Sequence, residues 1–147
     1  MTFQQLNISQ PVLKALEEKQ FSTPTSIQQQ AIPVALGGRD ILGLAQTGTG
    51  KTAAFAIPVI EHLYRKSQAE KTLSIRALVL TPTRELAIQI EEAFAAYGKY
   101  TRLKCVVIYG GVRQNRQIEQ LRRGADILIA TPGRLLDLIS QKIVDLG

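Results

Sequence analysis

The chain has little with which to staple or metallate itself. One cysteine, Cys105, in 147 residues excludes an internal disulfide framework, and no Cys/His grouping has metal-ligand spacing. Stability must come from a packed core, for which a chain of this length in one domain suffices. Long apolar runs are also missing: none approaches the roughly twenty residues of a membrane span. The amino terminus, Met1-Thr2-Phe3-Gln4-Gln5, lacks the charged and apolar regions of a secretory signal, so a cytoplasmic, reducing setting with no membrane partner is expected. There is no internal repeat, low-complexity tract or interdomain linker. Acidic residues are the scarcer charge, 12 against 18 basic, and the net +6 is compatible with a polyanionic partner or with a merely solvated basic face.

What the chain does have is the stretch Ala45-Gln46-Thr47-Gly48-Thr49-Gly50-Lys51-Thr52. An apolar run, Asp40 to Leu44, precedes it, and a helix-period segment, Ala53 to Tyr64, follows, so it is expected in the turn between a buried strand and a helix. Gly48 and Gly50 can take positive φ, letting backbone N–H groups converge on phosphate oxygens at the positive end of the helix. Lys51 would reach the β/γ-phosphates and Thr52 would offer its hydroxyl to Mg²⁺. Ala45 stands where the generic pattern has its first Gly, which keeps close approach but makes positive φ costly. A chance glycine turn is the competing explanation; the Gly-Lys-Thr ending and the strand–helix context argue against it.

Elsewhere the chain alternates. Ser9 is a plausible N-cap for a short amphipathic helix from Pro11 to about Gln20. Phe21 to Pro24 reads as extended, and Thr25 can cap a second helix, Ser26 to Leu36, interrupted at Pro33 and stopped by Gly37-Gly38. Beyond the glycine-rich stretch, a polar loop is expected over Ser67 to Thr72. Three apolar runs then each precede a helical segment: Arg76–Leu80 before Arg84–Tyr97, Lys104–Tyr109 before Arg113–Arg123, and Asp126–Ala130 before Arg134–Gln141. With the strand at Ile41 this makes four strand–helix units. Strands apolar throughout are buried on both faces, which implies an α/β fold: a three-layer α/β/α domain with a mainly parallel sheet and ligands at the strands' carboxyl ends.

The segments after the last three strands then share one sheet edge: Thr81-Pro82-Thr83-Arg84-Glu85, Gly110-Gly111 and Thr131-Pro132-Gly133-Arg134. Each has an ordinary explanation alone. Thr131-Pro132 is a helix cap followed by proline in the first turn, Gly110-Gly111 is a turn, and Glu85 complements a helix dipole. Together, beside a phosphate loop, they supply the hydroxyls, N–H groups and arginines that hold a phosphodiester backbone.

At this point the sequence resembles the amino-terminal RecA-like domain of DEAD-box ATP-dependent RNA helicases, bacterial members above all. Phe21 to Gln28 is similar to that family's adenine-recognising Q motif, Ala45 to Thr52 to its phosphate loop including the initial Ala, Pro82 to Ala87 to P-T-R-E-L-A, Gly110-Gly111 to its GG element, and Thr131 to Arg134 to T-P-G-R. The resemblance divides the single domain 1–147 into a Q-motif region, 1–38, and a phosphate-loop core, 39–147. It implies ATP and Mg²⁺ as cofactors, with adenine nucleotide held by Phe21, Thr23, Gln28 and by Ala45, Gln46, Thr47, Gly48, Thr49, Gly50, Lys51 and Thr52. Lys51 and Thr52 would be the catalytic pair and Thr52 the metal ligand. Gln28 would pair with adenine through its amide and Phe21 would stack on the base, although a hydrophobic staple or minor core role explains Phe21 as well. Pro82, Thr83, Arg84, Gly110, Gly111, Thr131, Pro132, Gly133 and Arg134 would meet RNA through its backbone, with little base specificity.

Gln20 and Ser26 depart from the family pattern at peripheral positions, and neither His62 nor Cys105 receives a role. The acidic D-E-A-D motif is not among these residues: Asp40 and Asp126 precede their strands, and Asp137 lies within a helix. The resemblance therefore reads the chain as a fragment, whose parent would carry a carboxy-terminal RecA-like domain with arginine fingers and couple ATP hydrolysis to RNA duplex separation. Alone it should bind adenine nucleotide weakly, ADP about as well as ATP, and turn over almost nothing. The alternatives are another phosphate-loop NTPase, such as a nucleotide kinase or DNA helicase, and a non-enzymatic RNA- or protein-binding module.

Overall fold

Polar residues close the first turn of α2 (Ser26–Leu36). Thr25 and Gln28 form a reciprocal capping box, so two N–H groups that a helix start would leave orphaned are satisfied. The computed structural model describes residues 1–67 and 74–147. These fall into two compact units, one holding 1–67 with 93–102, the other 74–92 with 103–147. The loop expected over 67–72 lies outside the described residues apart from its first residue, which ends a helix.

The first unit is helical. A single 3₁₀ turn, Phe3–Leu6, which the sequence pattern did not announce, precedes α1 (Gln10–Glu18). α1 and α2 both pack on α3 (Lys51–Ser67), burying Val12, Leu16, Ile32, Ile57 and Ile60 completely. Ser9 occupies the N-cap of α1, yet its hydroxyl donates to the carboxylate of Glu61 on α3 and its N–H donates to the same carboxylate at 3.1–3.2 Å. Glu61 is wholly buried; Arg65, one turn on, donates to it at 2.8 Å and to the Asn7 carbonyl at 2.7 Å. A buried carboxylate is tolerable only when so supplied with donors.

The strand expected over Asp40–Leu44 does not form. Residues 39–46 have no regular secondary structure and no ladder partners among the described residues, and Leu42 and Leu44 stand 87% and 84% exposed. Apolar β-prone residues make a strand only when a neighbouring backbone takes their N–H and C=O groups.

The second unit carries the sheet: β1 (Ala77–Leu80), β2 (Cys105–Ile108) and β3 (Ile127–Ala130), all parallel, in the order β1-β3-β2. Among the described residues three strand–helix units replace the four expected. Only central β3 is buried along its whole length; β1 and β2 alternate in exposure because each has one bonded neighbour and less cover. One face, with Val106, Ile108, Leu128 and Ala130, packs on Leu135 and Leu138 of α6 (Pro132–Ser140) and on Ile118 and Leu121 of α5 (Asn115–Arg122). α4 (Arg84–Tyr97) follows β1 with the bounds expected. At the strands' amino ends Asp126 accepts from Arg76 Nη2 at 2.9 Å and from the Lys104 N–H at 2.8 Å, a structural pin at the sheet edge opposite the candidate site.

Candidate nucleotide and nucleic-acid sites

In the helical unit, turns over 47–50 open directly into α3. Gly48 and Gly50 both have left-handed φ, +83° and +84°. A Cβ on Gly50 would also lie 2.4 Å from Gln28 Nε2, so a side chain at position 50 would bear the positive φ and displace that amide from the Gly50 carbonyl. Above Gly48 nothing lies within 4 Å, leaving its backbone open to a ligand. Thr49 Oγ1 donates to the Gln46 carbonyl at 2.6 Å, tightening the loop. Lys51, exposed, and Thr52, half-buried, form the first turn of a 17-residue helix, where unpaired N–H groups and the helix dipole favour an anion. A cavity of about 330 Å³ borders this loop, lined by Thr25, Ser26, Ile27, Gln30, Leu44, Ala45 and Thr49, within the size range of small-ligand pockets. Ile27 and Gln30 were not singled out in the sequence, and Ser26 only as a departure from the family pattern; helical spacing places all three on the turn that carries Gln28.

Gln28 and Phe21 are positioned, but differently from the expectation. The Gln28 side chain is 3% exposed; its Oε1 accepts from the Thr25 N–H at 3.0 Å and its Nε2 donates to the Gly50 carbonyl at 3.2 Å. Each end of the amide thus has one partner within the protein, which leaves one N–H and one oxygen lone pair of Gln28 for a base. Phe21, half-buried, packs between Phe3 and Tyr97, ring centroids 6.4 and 5.8 Å away, contacts of the kind the core alternative calls for. Burial raises the Tyr97 phenol above its ordinary pKa. Thr23 is exposed beside Pro24.

Anion-binding geometry fits a nucleotide's phosphates, with Lys51 as the cation. For Mg²⁺ the fit is partial: Thr52 supplies one hydroxyl, and no group of three or more His, Cys, Asp or Glu converges among the described residues. Thr52 would therefore be one ligand among phosphate oxygens and water, and the ion would supply charge neutralisation at the phosphates.

In the sheet unit, the parallel register brings the three loop segments together. Leu80, Ala130 and Ile108 are level across the sheet. One residue on, the Thr81 N–H donates to the Ala130 carbonyl and the Thr131 N–H to the Ile108 carbonyl, both at 3.1 Å, so each loop leaves from the same edge. Thr83 Oγ1 accepts from the Leu86 N–H at 3.2 Å at the start of α4, with Pro82 exposed before it. Arg84 lies over the Tyr109 ring, 5.1 Å from its centroid. Gly110 and Gly111 follow, Gly111 with φ +81°. Thr131 is the N-cap of α6, with Pro132 and Gly133 in its first turn. Arg134 turns inward, donating through Nη1 to Gln117 Oε1 at 3.0 Å and through Nη2 to the Val112 carbonyl at 2.8 Å. Gln117 was missed: mid-helix in a polar segment, it carries no signal in the sequence that it is buried.

These features define a phosphate-loop protein of the α/β, RecA-like class. The sequence pattern of the DEAD/DEAH box helicase family matches residues 25–146, and the chain belongs to that family. It is 48% identical over 136 residues to the DEAD-box ATP-dependent RNA helicase RhpA of Helicobacter pylori (strain B128), covering 92% of this chain and 26% of the relative. It is 44% identical over 147 residues to the DEAD-box ATP-dependent RNA helicase CshA of Bacillus subtilis (strain 168), covering 100% of this chain and 29% of CshA. A crystal structure described as a hypothetical ATP-dependent RNA helicase from Sulfolobus tokodaii superposes with a TM-score of 0.82 at 38% identity, over 94% of this chain and 38% of that one. The chain thus spans roughly a quarter of the length of these curated relatives. No helix among the described residues is long and apolar enough to cross a membrane.

Proposed function

We propose that this chain is the adenine-nucleotide- and RNA-binding part of an ATP-dependent RNA helicase, and that its parent couples ATP hydrolysis to separation of RNA duplexes. The observation that carries the nucleotide half is the pair of left-handed glycines opening α3 against Gln28, bordered by a cavity of nucleotide scale. Ala45 to Thr52 receive the phosphates and Thr52 contributes to holding Mg²⁺, while Thr23 and Gln28 lie toward the base. RNA meets the sheet edge through Pro82, Thr83, Arg84, Gly110, Gly111, Thr131, Pro132 and Gly133, with Arg134 at the same edge, by its backbone and with little base preference. Relatives named ATP-dependent RNA helicases support both halves. In the parent, a carboxy-terminal RecA-like domain would supply the transition-state charge that Lys51 alone does not.

The test is calorimetric titration with ADP and GDP of the wild-type chain and of Gln28→Glu, which keeps an acceptor for Thr25 and loses the donor to Gly50. Adenine preference in the wild type that disappears in the variant, with melting temperature retained, supports base reading by Gln28. Equal binding of ADP and GDP by the wild type would reduce the site to a generic phosphate loop.

A further inference from the structure

We infer that Gln117 and Arg134 form an internal brace that holds the Tyr109–Val112 turn in the shape that receives RNA, so that Gln117 is a positioning residue and Arg134 acts through the turn instead of gripping a phosphate itself. The inference rests on the RNA-binding reading of this sheet edge.

Gln117 sits on α5 with 7% of its surface exposed. A buried amide must spend both its ends, and this one spends them on the same small structure. Nε2 donates to the Tyr109 carbonyl at 3.1 Å, immediately before Gly110. Oε1 accepts from Arg134 Nη1 at 3.0 Å, and Arg134 Nη2 donates to the Val112 carbonyl at 2.8 Å, immediately after Gly111. The carbonyls on either side of the glycine pair are therefore held by two side chains that hold each other.

The turn needs such help. Nothing lies within 4 Å of a Cβ built on Gly110 or Gly111, so packing does not constrain them, and consecutive glycines have the largest conformational freedom to lose when a ligand settles. A turn shaped in advance does not lose that freedom on binding. Arg134 suits the task because its planar fork reaches an amide and a carbonyl at once, whereas lysine offers a single point. One hydrogen on each terminal nitrogen is committed to a protein acceptor, which ties the half-buried guanidinium to the turn. Arg84, over the Tyr109 ring, is an exposed cation beside the turn, and Arg113, directly after Val112, is exposed as well.

The test uses the 147-residue chain, a fluorescein-labelled ten-nucleotide oligouridine read by anisotropy at several KCl concentrations, ADP titration and thermal melting. Expected is that Gln117→Met, equal in length but without the amide, binds RNA about tenfold more weakly with an unchanged slope of log K against log salt, while ADP affinity holds and the melting temperature falls by no more than a few degrees. Arg134→Met should weaken RNA binding without changing that slope, and the double variant should lose little more than the worse single one, as members of one unit do. Gln117→Glu, which keeps the acceptor for Arg134 and loses the donor to Tyr109, should fall between wild type and Gln117→Met; it serves alone should Gln117→Met fail to fold. Wild-type RNA affinity in the Gln117 variants overturns the inference. So does a fall in slope of about 0.7 in Arg134→Met, the signature of one lost phosphate contact on a single strand, and so does a loss shared equally by ADP binding. Failure of the wild-type chain to bind RNA removes the RNA reading and the inference with it, whereas wild-type binding with indifferent variants removes the inference alone.

Discussion

Gly133 and Gly111 look alike in the sequence and are held by different physics. Gly133 lies in the first turn of α6 with an ordinary φ and nothing within 4 Å of a Cβ, so neither packing nor strain demands glycine there. Gly133→Ala should stabilise the chain by up to about 1 kcal/mol, read from thermal melting, while weakening RNA binding if a backbone phosphate approaches this turn. Gly111 has φ +81°, and Gly111→Ala should cost about 1–2 kcal/mol. Cys105 is half-buried on β2, and burial, reinforced by Glu91, pushes its thiol from 9.0 up to about 12. Because the folded-state value is the raised one, the stabilising contribution is complete below pH 9 and is lost as pH rises toward 12. Stability relative to Cys105→Ala should fall across that window by no more than about 1.4 kcal/mol per pH unit, and thiol-specific reagents should label the folded chain slowly at neutral pH.

Among the elements, α3 connects chemistry to architecture. Its first residues are the candidate phosphate ligands; about three and four turns on, Glu61 and Arg65 grip the backbone at Ser9 and Asn7. Glu61→Ala would strand the Ser9 N–H and hydroxyl and release Arg65, at a cost of about 1–3 kcal/mol in denaturant unfolding; an effect under 0.5 kcal/mol would mean water replaces the carboxylate freely. Helix positions were largely legible because caps, prolines and 3.6-residue periodicity are local: α2 and α4 begin and end where the pattern places them. The Asp40–Leu44 strand was misread because apolar composition reports β-propensity, and propensity does not provide a bonding partner. Phe21 was legible only as two alternatives, since a lone aromatic beside a helix end does not reveal whether Phe3 and Tyr97 will flank it.

For the molecule as a whole, the scarcity of convergent carboxylates has a consequence for ligand choice. Among the described residues no acidic cluster faces the phosphate loop, so the γ-phosphate and its metal gain little beyond Lys51 and Thr52. ATP and ADP should bind this chain within about tenfold of each other, or 1.4 kcal/mol; a larger preference for ATP in calorimetry would contradict this. By itself the sequence determined the α/β class, the phosphate loop and the order of the loop segments, because glycine, proline, hydroxyl caps and apolar periodicity act within a few residues of where they stand. Only the tertiary structure decided that Gln28 engages Gly50, that Arg134 turns inward and that buried Gln117 completes its contact. Those are pairings between residues 17 to 22 positions apart. They depend on which acceptors the fold brings within reach, and no local rule encodes that.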